Sequence, residues 1–196
     1  NEAINPGEKD YDDPVFDPFW EAAIALELPL SWHILTTSGD NTLVKPRGPK
    51  LNGFLSIIRG CQDIMGMLVF AGVFERHPKL RVVCVEADAG WAPHFMYRMD
   101  HAYKRHRYWM KGKELAKLPS EYFREHISLT FQDDWTALRV THLLNHKRLM
   151  WANDFPHNDA TWPHSQSLLA EQTKDLAPDV AKAILRDNTV ELYGLA

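Results

Sequence analysis

The chain has 196 residues, of which 45% are hydrophobic and 24% are charged, and its formal net charge is −4. This length suffices for one domain with a real core, and the composition is ordinary for a soluble globular protein. The acidic balance gives no electrostatic footprint for nucleic acid, and no apolar stretch reaches transmembrane length, so neither nucleic acid nor a membrane is expected as a partner. The two cysteines, Cys61 and Cys84, lie in apolar stretches. They indicate buried free thiols in a reducing, cytoplasmic compartment.

Strand-like and helical patterns alternate along the chain. Pro18 at a first helical position predicts a helix through Leu26. Buried strands are predicted at 29–35, 81–87, 126–131 and 148–153. Helices are predicted at 53–78, 90–109, 134–146, 163–176 and 178–188, and a last short helix is predicted to begin with the capping pair Asn188 and Glu191. This order predicts an α/β fold with four parallel strands and flanking helices.

Polar side chains of the ligand or acid–base type stand where each predicted strand ends. They are His33 after the first strand, Glu86 and Asp88 after the second, Gln132, Asp133 and Asp134 after the third, and Asn153, Asp154 and His157 after the fourth. The carboxyl ends of parallel strands lie on one edge of the sheet, where α/β barrels carry their active sites. Histidine and carboxylate together fit a divalent metal of the zinc type, with an open position for water or substrate. The polar segment 36–52 is interpreted as an active-site loop.

Structural roles are the alternative for these residues. Any strand must turn polar where its loop begins, and a lone strand histidine such as His33 is more often a satisfied core residue than a ligand. Asp154 could cap a turn before Pro156, and His157 could be an ordinary loop residue. Glu86 lies in a buried run, where an unpaired carboxylate is costly. It therefore needs a metal, a metal ligand, an arginine or a hydrogen-bond donor beside it.

The segment "MWANDFPHNDATWPHS", residues 150–165, resembles the last strand and loop of the amidohydrolase-related family, which contains aminocarboxymuconate-semialdehyde decarboxylase and related decarboxylases and hydrolases. Other blocks follow in the family's order, including "VVCVEADAGWAPHFMYRMDH" and "PSEYFREHISLTFQDD". The resemblance covers nearly the whole chain. It implies a metal-dependent (β/α)8 TIM barrel, of which residues 1–196 would form a single, incomplete domain that holds strands five to eight, the C-terminal half.

The resemblance also implies roles for individual residues. His33 matches the fifth-strand histidine that binds the metal, and Asp154 matches the eighth-strand aspartate that binds the metal or activates its water. His157 belongs to the same motif and is a catalytic candidate together with Asp154. The implied cofactor is a divalent metal, with zinc as the first choice. The implied activity is hydrolysis of a small-molecule substrate by a metal-activated water, and non-oxidative decarboxylation of a small carboxylate-bearing substrate is the alternative.

Two departures from the family pattern bear on the reaction. The first-strand HxH pair, which supplies two metal ligands, is absent from the sequence. The sixth-strand position, a histidine in the decarboxylase, is Glu86 here. Glu86 either replaces that histidine as a catalytic residue or marks a different chemistry. A non-catalytic half-barrel is the competing hypothesis, and the open strand edges of a half-barrel would favour a homo-oligomer.

Overall fold

The computed structural model describes residues 9–35 and 48–195. In these ranges one parallel sheet is formed by β1 (Leu30–His33), β2 (Val82–Val85), β3 (Ile127–Phe131) and β4 (Leu149–Trp151), in that spatial order. The predicted parallel sheet is confirmed, and each strand lies within its predicted range. The interpretation of 36–52 as an active-site loop falls mostly outside the described residues.

Helices flank the sheet, as the sequence predicts. They are α1 (Asp17–Ala25), α2 (Arg59–Phe70), α3 (Val73–Arg76), α4 (Ala92–His106), α5 (Pro119–His126), α6 (Trp135–Arg139), α7 (Ser165–Thr173), α8 (Pro178–Lys182) and α9 (Asn188–Tyr193). A π-helical turn, Ala183–Asp187, joins α8 to α9. Within the described ranges, no helix combines the length and apolar character needed to cross a membrane.

The two faces of the sheet differ in what covers them. Trp32, Cys84 and Leu129 belong to the main core, which also contains buried helix residues. Val83 and Met150 form a separate, smaller cluster with Leu192 of α9. The short C-terminal helix therefore covers part of the second face of the sheet.

Three helix predictions need correction. The helix predicted at 53–78 begins only at Arg59 and is broken at Gly72, whose φ of +66° separates α2 from α3. Glycine takes this left-handed conformation at little cost, and it ends the helical hydrogen bonding. The helix predicted at 134–146 ends at Arg139 and gives way to a 3-10 turn. The amide of Asn188 does not cap α9 but donates to the carbonyls of His146 and Leu149, both at 2.7 Å, which ties α9 to β4.

Helix α5 was not predicted from the sequence, although two local signals mark its start. Pro119 occupies a first-turn position, where its missing N–H costs nothing. The Glu121 carboxylate accepts a hydrogen bond from the Leu118 backbone N–H at 2.8 Å, which is half of a capping box. This helix lies directly before β3 and packs on α4 and α2.

The carboxylate of Asp17 ties helix α1 to the C-terminal end of α3. His77 Nε2 lies 2.9 Å from Asp17 Oδ1, and Arg76 donates to the same oxygen through Nε and Nη2 at 3.2 and 3.1 Å. The hydrogen bond with His77, followed by the Arg76 contacts, holds the pKa of Asp17 below its ordinary value of 3.8, against burial, which raises it. The folded state therefore prefers the charged carboxylate.

Asp17→Asn is expected to cost about 1–2 kcal/mol of unfolding free energy at pH 7, because a hydrogen-bonded charge is lost. A lowered pKa in the folded state contributes stability above the unfolded pKa and loses it as the pH falls through the folded pKa. The gap between wild type and Asp17→Asn should therefore be full at pH 5 and should shrink below pH 3.8. Urea unfolding at several pH values measures it, and a gap that stays constant down to pH 2.5 would contradict the assignment.

Candidate functional site

Residues after β2 and β4 converge at the carboxyl edge of the sheet. One ligand atom each from Glu86, Asp154 and His157 lies within 4.8 Å of the other two. Glu86 and Asp154 are partly buried, whereas His157 is exposed. The structure thus brings together the three residues predicted to be catalytic, from two loops that are 68 residues apart in sequence at their nearest members, Glu86 and Asp154.

His33, at the end of β1, joins this cluster through Glu86. Its Nε2 lies 2.6 Å from Glu86 Oε2, and its Nδ1 lies 2.7 Å from the Ile34 carbonyl oxygen. A carbonyl oxygen only accepts, so Nδ1 carries a proton and donates it. Nε2 faces the Glu86 carboxylate. His33 therefore presents Nε2 to the site, with its ring orientation fixed by the backbone.

Asp154 and His157 form a second acid–base pair on the loop after β4. His157 Nδ1 lies 3.0 and 3.1 Å from the two carboxylate oxygens of Asp154. The Asp154 side chain is 13% exposed and that of His157 is 65% exposed. The pair therefore spans from the protected floor of the site to solvent.

Left-handed backbone recurs at this edge. Leu35, Glu86, Asp88 and Asp154 have φ values of 55–61°, and all four follow strand ends. A non-glycine residue in this region costs on the order of 1–3 kcal/mol, and such residues cluster at functional sites. The left-handed turns after β1, β2 and β4 therefore set the directions of the side chains at this edge.

The position of Glu86 depends on a neighbour that the sequence did not single out. The Glu86 backbone N–H donates to Thr130 Oγ1 on β3 at 2.9 Å. Thr130 lies inside an apolar strand, and only the pairing of β2 with β3 makes it adjacent to Glu86. No local sequence signal could have identified it.

Asp134 has a structural role at the same edge. Its buried carboxylate accepts three backbone N–H groups, from Ala89 at 2.8 Å, Gly90 at 2.6 Å and Ala137 at 3.0 Å. The same carboxylate therefore caps α6 and anchors the loop after β2. A Cβ on Gly90 would lie 2.9 Å from Asp134 Oδ1, so this close approach requires glycine.

Asp88 is a partly buried carboxyl group at the same edge of the sheet. Burial, followed by the nearby charge of Asp134, raises the pKa of Asp88 to about 6, against a hydrogen bond from the Gln132 backbone that lowers it. Its Oδ1 is buried and has no hydrogen-bond partner within the described residues. The structure places Asp133 elsewhere, on the surface, where its carboxylate accepts from the Gln172 side chain.

The charge balance of the site favours a cation. In the described part of the chain, the ion-pair partners of Glu86 and Asp154 are the histidines His33 and His157, and neither carboxylate contacts a lysine or an arginine. Two carboxylates and an imidazole within 4.8 Å form a mixed oxygen and nitrogen donor set. Divalent metals accept such donors.

Comparison with solved structures shows a shared fold at low sequence identity. The 5-carboxyvanillate decarboxylase from Sphingomonas paucimobilis is 22% identical, with a TM-score of 0.81 over 97% of this chain and 56% of the other. The 2,6-dihydroxybenzoate decarboxylase from Rhizobium is 21% identical, with a TM-score of 0.72 over 97% of this chain and 59% of the other.

A third structure contains a metal and a ligand. The 5-carboxyvanillate decarboxylase from Novosphingobium aromaticivorans, in complex with manganese and 4-hydroxy-3-methoxy-5-nitrobenzoic acid, is 18% identical, with a TM-score of 0.73 over 95% of this chain and 53% of the other. The chain thus spans little more than half the length of these three structures. Four parallel strands with flanking helices, predicted as the C-terminal half of a TIM barrel, agree with this coverage.

A comparison with family models agrees with the resemblance drawn from "MWANDFPHNDATWPHS" and its companion blocks. The roles of His33, Glu86, Asp154 and His157 stay predictions, because the shared fold does not assign them. The family model described as amidohydrolase matches residues 4–195, nearly the whole chain. The chain therefore belongs to the amidohydrolase family.

Proposed function

We propose that this chain supplies the metal site of a metal-dependent enzyme that decarboxylates a small carboxylate-bearing molecule without oxidation. The observation that carries the proposal is the cluster of Glu86, Asp154 and His157, whose ligand atoms lie within 4.8 Å of one another. Three solved structures with the same fold are decarboxylases, and one of them contains manganese. These likenesses support decarboxylation over the hydrolysis that the sequence favoured first.

The donor set fits a divalent metal. Metal-binding histidines usually donate their second ring N–H to a backbone carbonyl or a carboxylate, and His33 does so toward Ile34. Nε2 of His33 and the carboxylate of Asp154 are the proposed ligands, with Glu86 and His157 beside them. Both manganese and zinc accept carboxylate and imidazole donors. Zinc, the first choice from the sequence, and manganese are therefore both candidates.

The residues of the chain divide the proton handling between two pairs. When bound, a divalent metal would stabilise the negative charge that develops on the substrate. Loss of CO₂ leaves an electron pair on the substrate carbon, which must then take up one proton. Glu86, which lies 2.6 Å from the proposed ligand atom Nε2 of His33, is one proposed proton donor. The exposed His157, paired with Asp154, provides exchange with solvent.

Hydrolysis is the second candidate, because the matching family model is described as amidohydrolase. In that reaction the Asp154–His157 pair would accept the proton of the attacking water and return it to the leaving group. The same pair of residues thus serves either reaction. The substrate is the feature that separates the two.

The test is turnover by the purified protein loaded with Mn²⁺ or Zn²⁺. A panel of hydroxylated aromatic carboxylates is assayed for CO₂ release, and a panel of amides and esters is assayed for hydrolysis. CO₂ release that needs the metal supports decarboxylation, whereas cleavage of amides or esters alone would replace it with hydrolysis. Metal binding without either activity would contradict the proposed reactions and leave a binding site only.

Thr130→Val is expected to weaken metal binding about tenfold, because second-sphere contacts typically contribute 10- to 100-fold to metal affinity. Valine keeps the shape but removes the acceptor of the Glu86 N–H. Titration with Mn²⁺ measures the change. Thr161→Val, in the loop after β4, is the matched control, because Ser165 Oγ is the only hydrogen-bond partner of this hydroxyl among the described residues. Equal affinity for wild type and Thr130→Val would show that Thr130 does not position Glu86.

The cellular setting is also part of the proposal. Cys61 and Cys84 are both buried free thiols, which supports a reducing, cytoplasmic compartment. A small molecule is the proposed substrate partner. Self-association through the edge strands β1 and β4 remains a prediction that size-exclusion chromatography would test.

A further inference from the structure

A cavity lies near the amino ends of the strands, at the edge of the sheet opposite to the cluster of Glu86, Asp154 and His157. Its volume is about 170 Å³, and Arg81, Ser128, Lys147, Arg148 and Glu191 line it, together with Asn188 and Leu192 of α9. Arg81 directly precedes β2, and Lys147 and Arg148 directly precede β4. The cavity is therefore separate from the carboxyl-edge cluster of Glu86, Asp154 and His157.

The residues that line the cavity carry an excess of positive charge. Three of its lining residues are cations and only Glu191 is an anion, so the local balance is +2 in a chain of net charge −4. The guanidinium of Arg81 donates to the carbonyls of Leu192, at 3.0 Å, and Glu27. Arg148 Nε donates to the Glu125 carbonyl at 3.0 Å. These contacts fix the guanidinium groups through neutral oxygens.

Hydrogen-bond donors at the cavity remain available. Among the described residues, Nη1 and Nη2 of Arg148 and Nζ of Lys147 have no hydrogen-bond or ion-pair partner. Ser128 lines the cavity and is 3% exposed, and its hydroxyl has no hydrogen-bond partner in the described part of the chain. Ser128, Lys147 and Arg148 thus bring donor groups to the lining of one cavity.

We infer that this cavity binds a phosphate dianion, either free phosphate or the phosphate group of a monoester. The dianion matches the local charge of +2. Its oxygens can accept several hydrogen bonds at once. The guanidinium of Arg148, the ammonium of Lys147 and the hydroxyl of Ser128 can supply these hydrogen bonds. Glu191 disfavours anions of higher charge. The site is independent of the proposed decarboxylation, since it shares no residue with the metal cluster.

The test is calorimetric titration of the metal-free protein with inorganic phosphate and with methyl phosphate, at pH 8 and low ionic strength. One saturable site is expected for inorganic phosphate. Arg148→Gln should weaken it at least about tenfold, and the uncharged change Ser128→Ala should weaken it about three- to tenfold. Lys104→Gln is the matched control, because it removes an exposed cation of α4 that forms no ion pair with described residues. Arg81 is left intact because it holds two backbone carbonyls.

Binding of both probes supports a monoester ligand, and binding of inorganic phosphate alone supports free phosphate as the ligand. The inference is overturned if no saturable binding is detected, if Ser128→Ala binds as wild type, or if Lys104→Gln loses as much affinity as Arg148→Gln. Cooperative urea unfolding of each variant verifies that it is folded. A Ser128→Ala variant that does not fold is replaced by Ser128→Cys, for which the same weakening is expected.

Discussion

Asp154→Asn is expected to lower the affinity for Mn²⁺ at least about 100-fold, since loss of a ligand should exceed the 10- to 100-fold effect of second-sphere changes. Asparagine keeps the size of the side chain and tolerates the φ of +60° found at this position. The substitution therefore removes one negative charge with little change in the backbone. Calorimetric titration with Mn²⁺ measures the affinity, and any metal-dependent activity should fall in parallel.

Asp159→Asn is the matched control for this prediction. Asp159 is an exposed carboxylate on the same loop, and it is outside the group of Glu86, Asp154 and His157 that could hold a metal. It carries the same charge five residues away. If Asp159→Asn weakens binding as much as Asp154→Asn, the effect is general electrostatics, and Asp154 is not a ligand.

Asp134→Ala is expected to lower the unfolding free energy by about 3–5 kcal/mol, because three buried backbone N–H groups lose their acceptor at roughly 1–3 kcal/mol each, with partial relaxation. The hydrogen bonds run to Ala89, Gly90 and Ala137 at 2.6–3.0 Å. The loop after β2 should loosen, and metal affinity should fall with it. Urea unfolding measures the loss of stability, hydrogen exchange at the three amides measures the loosening of the loop, and titration with Mn²⁺ measures the metal affinity.

The neighbouring substitution Asp133→Ala provides the control. Asp133 is exposed, and the Gln172 side chain is the only hydrogen-bond partner of its carboxylate within residues 9–35 and 48–195, so a cost within about 1 kcal/mol is expected. A similar, small cost for both variants would show that the Asp134 carboxylate is not the anchor of this edge. The loss of unfolding free energy for Asp134→Asn should fall between those for Asp134→Ala and Asp133→Ala, because asparagine retains one acceptor oxygen.

The parallel sheet could be predicted because its signals are local. The Val-rich run 82–85 is apolar on both faces, as strands buried between two layers must be. Strands that alternate with helices then place all carboxyl ends on one edge, which predicts from the sequence alone that Glu86 lies near Asp154. The motif at 150–165 added the assignment of His33 and Asp154 through the family resemblance.

Other features depend on contacts that no local pattern encodes. Thr130 supports Glu86 only because β2 pairs with β3 in one register. The left-handed break at Gly72 looks in sequence like an ordinary helical glycine, since the apolar spacing continues on both sides of it. The amino-edge cavity joins Arg81, Ser128 and Arg148, which come from three separate stretches of the chain. Tertiary packing, rather than propensity, determines each of these.

Anomalous X-ray scattering from crystals grown with Mn²⁺ tests the central claim most directly. One manganese peak per chain is expected at the carboxyl edge of the sheet, in contact with the carboxylate of Asp154 and with Nε2 of His33, and no peak is expected in crystals of Asp154→Asn. A manganese peak elsewhere on the chain would contradict the proposed metal site, as would the absence of a peak at saturating Mn²⁺ while His33 and Glu86 keep their 2.6 Å contact.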